Sequence, residues 1–223
     1  MPITINGSGS IAGLNAGGLP SGSITADNMA SSLDLSSKTV SLGITSGANL
    51  IRIADTGTVT SGSSLTIDNC FSTTYNLYQV NVFCLGNTNE NTRYALNYRT
   101  GGASGSDYSS NYTWRRYRNF NGHTTLEIDA ATGDSSFEMN FYNRADYGIH
   151  VSAWVYMPAN SSYLTNIWGE FLGVHPSTST GFPHSFAGIN SAFNTFTGIR
   201  FFARSSFTGS FTNARMIVYA LRN

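Results

Sequence analysis

Ile149-His150-Val151-Ser152-Ala153-Trp154-Val155-Tyr156-Met157-Pro158 is the stretch that decides the fold. Ile149, Val151, Ala153, Val155 and Met157 occupy every second position. A period of two is the repeat of a β-strand, whose successive side chains point to opposite faces. Pro158 ends the run, because proline has no N–H to give to a ladder. The alternation recurs on both sides. Tyr94, Leu96 and Tyr98 alternate with Arg93, Ala95, Asn97 and Arg99, and Phe137, Met139 and Phe141 with Glu138 and Asn140. Ile199, Phe201 and Ala203 alternate with Arg200 and Arg204. In the last stretch Met216, Val218 and Ala220 alternate with Ile217, Tyr219 and Leu221.

Further strands are expected at Leu50–Val59, Ser64–Asp68, Tyr75–Leu85, Tyr112–Arg118, Thr124–Asp129, Ile167–Val174 and His184–Ile189. Turns are expected at Gly101-Gly102, Asn121-Gly122, Thr132-Gly133-Asp134, Ser177–Gly181 and Thr208-Gly209. No amphipathic helix separates these strands, and a parallel sheet needs crossover helices. The expected fold is therefore all-β: an antiparallel β-sandwich, jelly-roll-like, with an extended N-terminal arm. The final strand is apolar on both faces. One face suits the core, and the second calls for a further cover, most simply a neighbouring subunit.

Residues 1–45 read differently. They are rich in Gly, Ser and Ala and contain no aromatic residue. A segment this poor in large side chains cannot bury enough surface to fold alone. It carries spaced apolar residues, among them Ile3, Ile5, Ile11, Leu14, Leu19, Ile24 and Met29, that find burial only against another surface or against copies of the chain. Thr25 suits the N-cap of a short helix through Ala26–Ala30, with Asp27 in its first turn. The chain thus divides into an anchoring and trimerisation arm, residues 1–45, and a knob domain, residues 46–223.

Composition narrows the function. Of the 223 residues, 13% are aromatic and only 11% charged, with a formal net charge of zero. Lys38 is the only lysine. Nothing electrostatic recruits nucleic acid or an anionic membrane, so neither is expected as a partner. Met1–Asn6 lacks the basic start and apolar run of a signal peptide. Cys70 and Cys84 make neither a disulfide framework nor a closed zinc site, and are expected as free, partly buried thiols of a chain assembled in a reducing cytoplasm.

Catalytic readings find little to stand on. Glu127 and Asp129 share a strand face as paired carboxylates could on a glycosidic bond, but a solvated strand face beside the turn at Thr132–Asp134 explains them more simply. His123, His150, His175 and His184 lack metal-ligand spacing. Asp129–Asp134 lacks the oxygen density of a calcium loop and reads as a hairpin turn. No catalytic residue, metal or cofactor is expected, and the chain is read as not an enzyme. The densest cluster is Tyr112-Thr113-Trp114-Arg115-Arg116-Tyr117-Arg118. Alternation places Tyr112, Trp114, Arg116 and Arg118 on one face, which reads first as a plain strand of stacked arginine and aromatic side chains, then as a candidate subunit interface, and last as a glycan contact.

The arm residues Ile3–Ile11, Gly17-Gly18-Leu19-Pro20 and Gly22–Ala30 resemble the N-terminal segments of tail-fibre and appendage proteins of tailed bacteriophages. The later part is similar to the terminal β domains of such proteins at Tyr75 and Tyr78 with the strand that follows, at Gly198–Phe202 and at Ala214–Leu221. The resemblance covers about half of the chain through motifs of low complexity. It implies a non-enzymatic structural protein of the virion surface, assembled in the bacterial cytoplasm as a homotrimer. The chain has no heptad, collagen or β-helix repeat to serve as a shaft. A short arm on a knob favours a capsid cement (decoration) protein held on the major capsid protein or another virion protein. The alternative is a tail-fibre tip that binds host-surface polysaccharide.

Overall fold

The computed structural model describes residues 49–86, 93–118, 127–139, 148–174, 181–204 and 210–222. The chain divides into two units, Met1–Ser46 and Gly47–Asn223, and all described residues lie in the second. The expected arm, with its short helix and its apolar anchors Ile3, Ile5, Ile11, Leu14, Leu19, Ile24 and Met29, lies outside the described residues.

Fourteen strands appear among the described residues: β1 Leu50–Asp55, β2 Val59–Gly62, β3 Ser64–Ile67, β4 Leu77–Gly86, β5 Tyr94–Thr100, β6 Ser106–Asp107, β7 Tyr112–Arg118, β8 Glu127–Asp134, β9 Phe137–Met139, β10 Gly148–Tyr156, β11 Thr165–Val174, β12 Gly181–Asn190, β13 Gly198–Ala203 and β14 Phe211–Leu221. They form two antiparallel sheets packed face to face, the expected all-β sandwich. The large sheet runs β1-β14-β4-β10-β11-β12-β7-β8, with β2 also paired to β14. The small sheet runs β3-β13-β5-β6, with β9 paired to β5.

The deciding strand behaves as its pattern requires. Ile149, Val151, Ala153 and Val155 of β10 are buried, and the residues between them are half-buried or exposed. Met157 does not extend the strand. Its φ is 54°, a left-handed conformation that breaks the extended run just before Pro158.

Aromatic rings fill the space between the sheets. Tyr94 stacks on Phe201 at 5.1 Å, and Tyr98 on Phe196 at 4.6 Å. Tyr112 of the large sheet meets Phe137 of the small one edge-on at 4.6 Å. Each fully buried ring of this size contributes about 1.5–3 kcal/mol. Their hydroxyls need partners once dry. That of Tyr112 donates to Tyr108 O at 2.8 Å and accepts from Tyr98 N–H at 2.8 Å. That of Tyr78 accepts from Ser72 N–H at 2.8 Å and donates to Ser72 O at 2.9 Å. Gly188 lets the sheets approach here, since a Cβ at that position would lie 2.5 Å from Phe137 Cε1.

Two expectations are corrected. Leu50–Val59 is two strands, because Gly57 turns left-handed at φ 66° and its N–H donates to Asp55 Oδ1 at 2.7 Å. The turn expected at Thr132–Asp134 is the end of β8. Gly133, at φ 71°, lies where the register with β7 shifts, and the chain leaves the large sheet only at Ser135-Ser136 to enter β9.

The final strand is asymmetric. Met216, Val218 and Ala220 are fully buried, whereas Ile217 is 9% exposed and Tyr219 and Leu221 are half-buried. Its second apolar face is therefore largely covered within the chain. Further apolar surface is exposed on the large sheet at Phe83 and Leu85 of the neighbouring β4 and at Trp168 and Leu172 of β11.

Candidate functional site

Strand alternation sends half of each strand in the large sheet away from the core. Pairing registers align these outward residues in rows. Phe83, His150 and Leu172 form one row across β4, β10 and β11. Phe83 is 45% exposed, Leu172 45% and neighbouring Leu85 40%, and the His150 ring stacks on Phe83 at 4.7 Å. This is an apolar patch with no cover among the described residues. Four residues along the strands, Gln79, Trp154, Trp168, Ala187 and Arg115 form a second row across β4, β10, β11, β12 and β7. At about 3.3 Å per residue the rows stand about 13 Å apart.

The second row is hollowed on both sides of Trp168. One groove, of about 430 Å³, is lined by Trp168, Asn166, Ala187, Ile189, Arg115 and Tyr117. The other, of about 390 Å³, is lined by Trp168, Trp154, Ser152, Glu170 and Ser185. The hollows follow from side-chain size: Ala187 and Ser185 on β12 stand beside the indole on β11, and short residues cannot fill the space it leaves. Trp168 shares its strand face with Asn166 and Glu170, while Ile167 and Phe171 point inward. Glu170 forms no ion pair among the described residues. The other carboxylates with described side chains, Asp55, Asp68, Asp107, Asp129, Asp134 and Glu138, all do.

The cluster singled out on β7 faces the other way. Tyr112, Trp114 and Arg116 are 0%, 7% and 4% exposed. They belong to the core side and are not surface contacts of the protomer. The side chain of Arg118 lies outside the described residues. Trp114 Nε1 donates to Asp134 at 3.2 Å, and Arg116 lies 5.1 Å over the Trp114 ring and donates to Asp129 at 3.0 Å. Asp134 also accepts from Arg204, which follows β13, at 3.3 Å. These side chains clasp the rims of the two sheets. Thr113, Arg115 and Tyr117, on the strand's opposite face, are the ones that reach the groove.

Of the paired carboxylates, Asp129 is committed to Arg116, and the side chain of Glu127 lies outside the described residues. His184 is buried and stacks on Phe171 at 4.5 Å, while His123 and His175 fall outside the described residues. No group of three or more His, Cys, Asp or Glu suited to a metal occurs among the described residues. Cys70 and Cys84 are free and buried, and desolvation pushes both thiols up to about 12.

Compared with known protein families, curated proteins and solved structures, the chain matches none.

Proposed function

We propose that this chain is a non-enzymatic structural protein of a tailed-phage virion, a trimeric β-sandwich knob that reinforces the capsid shell as a cement protein. The observation that carries the reading is the patch of Phe83, Leu85 and Leu172 on the outer face of the large sheet, each 40–45% exposed. Water-facing apolar patches of this kind gain stability when a second protein surface covers them. A closed ring of identical copies is the simplest such cover. The aromatic-rich, sparsely charged composition suits a part that works assembled.

The mechanism is mechanical. Packaged DNA pushes the shell outward, and a trimer that bridges neighbouring capsomers adds buried apolar area, about 25 cal/mol per Å², that must be exposed again before the shell opens. The N-terminal apolar residues are the proposed anchors. Light scattering on the purified chain tests the oligomer: a trimer is expected, and a monomer at all concentrations overturns the reading. Quantitative staining of purified particles tests location, with hundreds of copies expected for a head cement protein. A few copies per particle would place the chain at a fibre tip. That second reading has its own support in the grooves beside Trp168, which offer a ligand an aromatic surface with polar groups around it.

A further inference from the structure

We infer that the two grooves flanking Trp168 form one saccharide-binding site, shaped for an uncharged chain of two or more pyranose units. The inference deepens the second reading above by specifying its ligand, and the site would exist wherever the knob is mounted. Each groove falls in the size range of small-ligand pockets. Trp168 lines both and is 40% exposed. Its ring offers a flat apolar surface to the C–H face of a pyranose, which loses little hydration on stacking.

The polar neighbours match the other half of a sugar's chemistry. Glu170 is acceptor-only when ionised and has no cation among the described residues, so its lone pairs are open to sugar hydroxyls. Asn166 supplies both a donor and an acceptor beside the ring, Arg115 supplies donors at the far side of the first groove, and Ser152 and Ser185 line the second. The site carries one carboxylate and one guanidinium, Glu170 and Arg115, and this balance of charge suits a neutral ligand.

A second protein copy fits this surface less well. Interface cores are depleted of charged residues, and covering Glu170 and Arg115 would strip water from two charges with no described partner. Phe83, Leu85 and Leu172 are uncharged and lie beyond Glu170, with Leu172 two residues, about 7 Å, from it along β11. The two surfaces are neighbours on one sheet face, with Glu170 at the border between them.

The test uses the full chain on an array of neutral and anionic bacterial surface oligosaccharides, with each hit titrated by tryptophan emission. Binding of neutral oligosaccharides is expected, with Trp168→Ala weakening it at least tenfold while melting temperature and oligomeric state stay unchanged. If Trp168→Ala folds poorly, Ala187→Trp fills the groove from an exposed position and should abolish binding. No binding across the array, or unchanged binding in both variants, overturns the inference. So does a loss of oligomer in Trp168→Ala, which would assign the ring to a subunit interface. The fibre-tip reading fails separately. A particle with hundreds of copies whose knobs bind sugar keeps the site and discards that location, whereas a few copies with no binding does the reverse.

Discussion

The outer faces of the two sheets are built on opposite plans. On the small sheet, charge is neutralised within the chain. Arg99 bridges Asp68 at 2.7 Å and Asp107 at 2.5 Å, and Arg200 also reaches Asp107. Glu138 takes both Arg93 and Arg204, and Arg204 continues to Asp134. On the large sheet, apart from Asp55 with Arg52 and Arg215 at the β1–β14 edge, the face carries Phe83, Leu85, Trp168 and Leu172, and Glu170 stands without an ion pair among the described residues. One surface is complete in the single chain. The other leaves apolar area and hydrogen-bonding groups open to solvent among the described residues.

The comparison is broken most severely by Phe83→Glu combined with Leu172→Glu. Like charges placed in a shared apolar contact cost several kcal/mol, so the trimer proposed above is expected to give way to folded monomers by light scattering. Both side chains are already water-exposed in the protomer, so its melting temperature should barely move. A trimer that survives both charges removes this face as the interface.

Next in size is Arg99→Ala on the small sheet. The Arg99 side chain is 13% exposed, and its loss strands Asp68 and leaves Asp107 with Arg200 alone. Removing one partner of a fully buried pair costs 3–5 kcal/mol, and the solvent at this rim reduces that to about 2 kcal/mol. Arg115→Ala on the large sheet should stay within about 0.5 kcal/mol. Chemical denaturation of the two variants side by side checks the contrast, and equal losses would erase it.

A smaller effect is expected from Asp55. The guanidinium of Arg215 holds its carboxyl down at about 2, aided by Gly57 N–H and the Arg52 charge against the opposing effect of burial. The folded value lies below the unfolded one, so the stabilisation is complete above about pH 4 and is lost as pH falls toward 2. Asp55→Asn should therefore flatten the melting temperature against pH in that window, and an unchanged acid limb would refute the assignment. The smallest response is at the thiols. With both pushed up to about 12, Cys70 and Cys84 should resist a thiol reagent at pH 8 until denaturant is added. Rapid labelling of the native protein would show an opening that the packed core does not provide.

Much of the fold was legible in the chain itself. The period-two alternation located the strands, and β7 runs from Tyr112 to Arg118 as the pattern alone predicts. The site was less legible. β7 carries aromatic and arginine residues on both faces, so composition could not say which face turns inward. Burial of Arg116 is possible because Asp129 and the Trp114 ring receive it. On β11 a signal was present: Glu170 marks one face as outward, and Trp168 shares it. The grooves beside Trp168 depend on the short residues of β12, which sequence reading could not place next to β11.

The amino-acid sequence by itself determined that these residues form alternating strands in an antiparallel arrangement without crossover helices, because strand periodicity and turn chemistry act over a few neighbouring residues. The tertiary structure alone decided which faces meet, which arginine finds which carboxylate, and where apolar surface stays open. Those outcomes depend on contacts between residues as distant in the chain as Asp55 and Arg215, and local pattern carries no record of them.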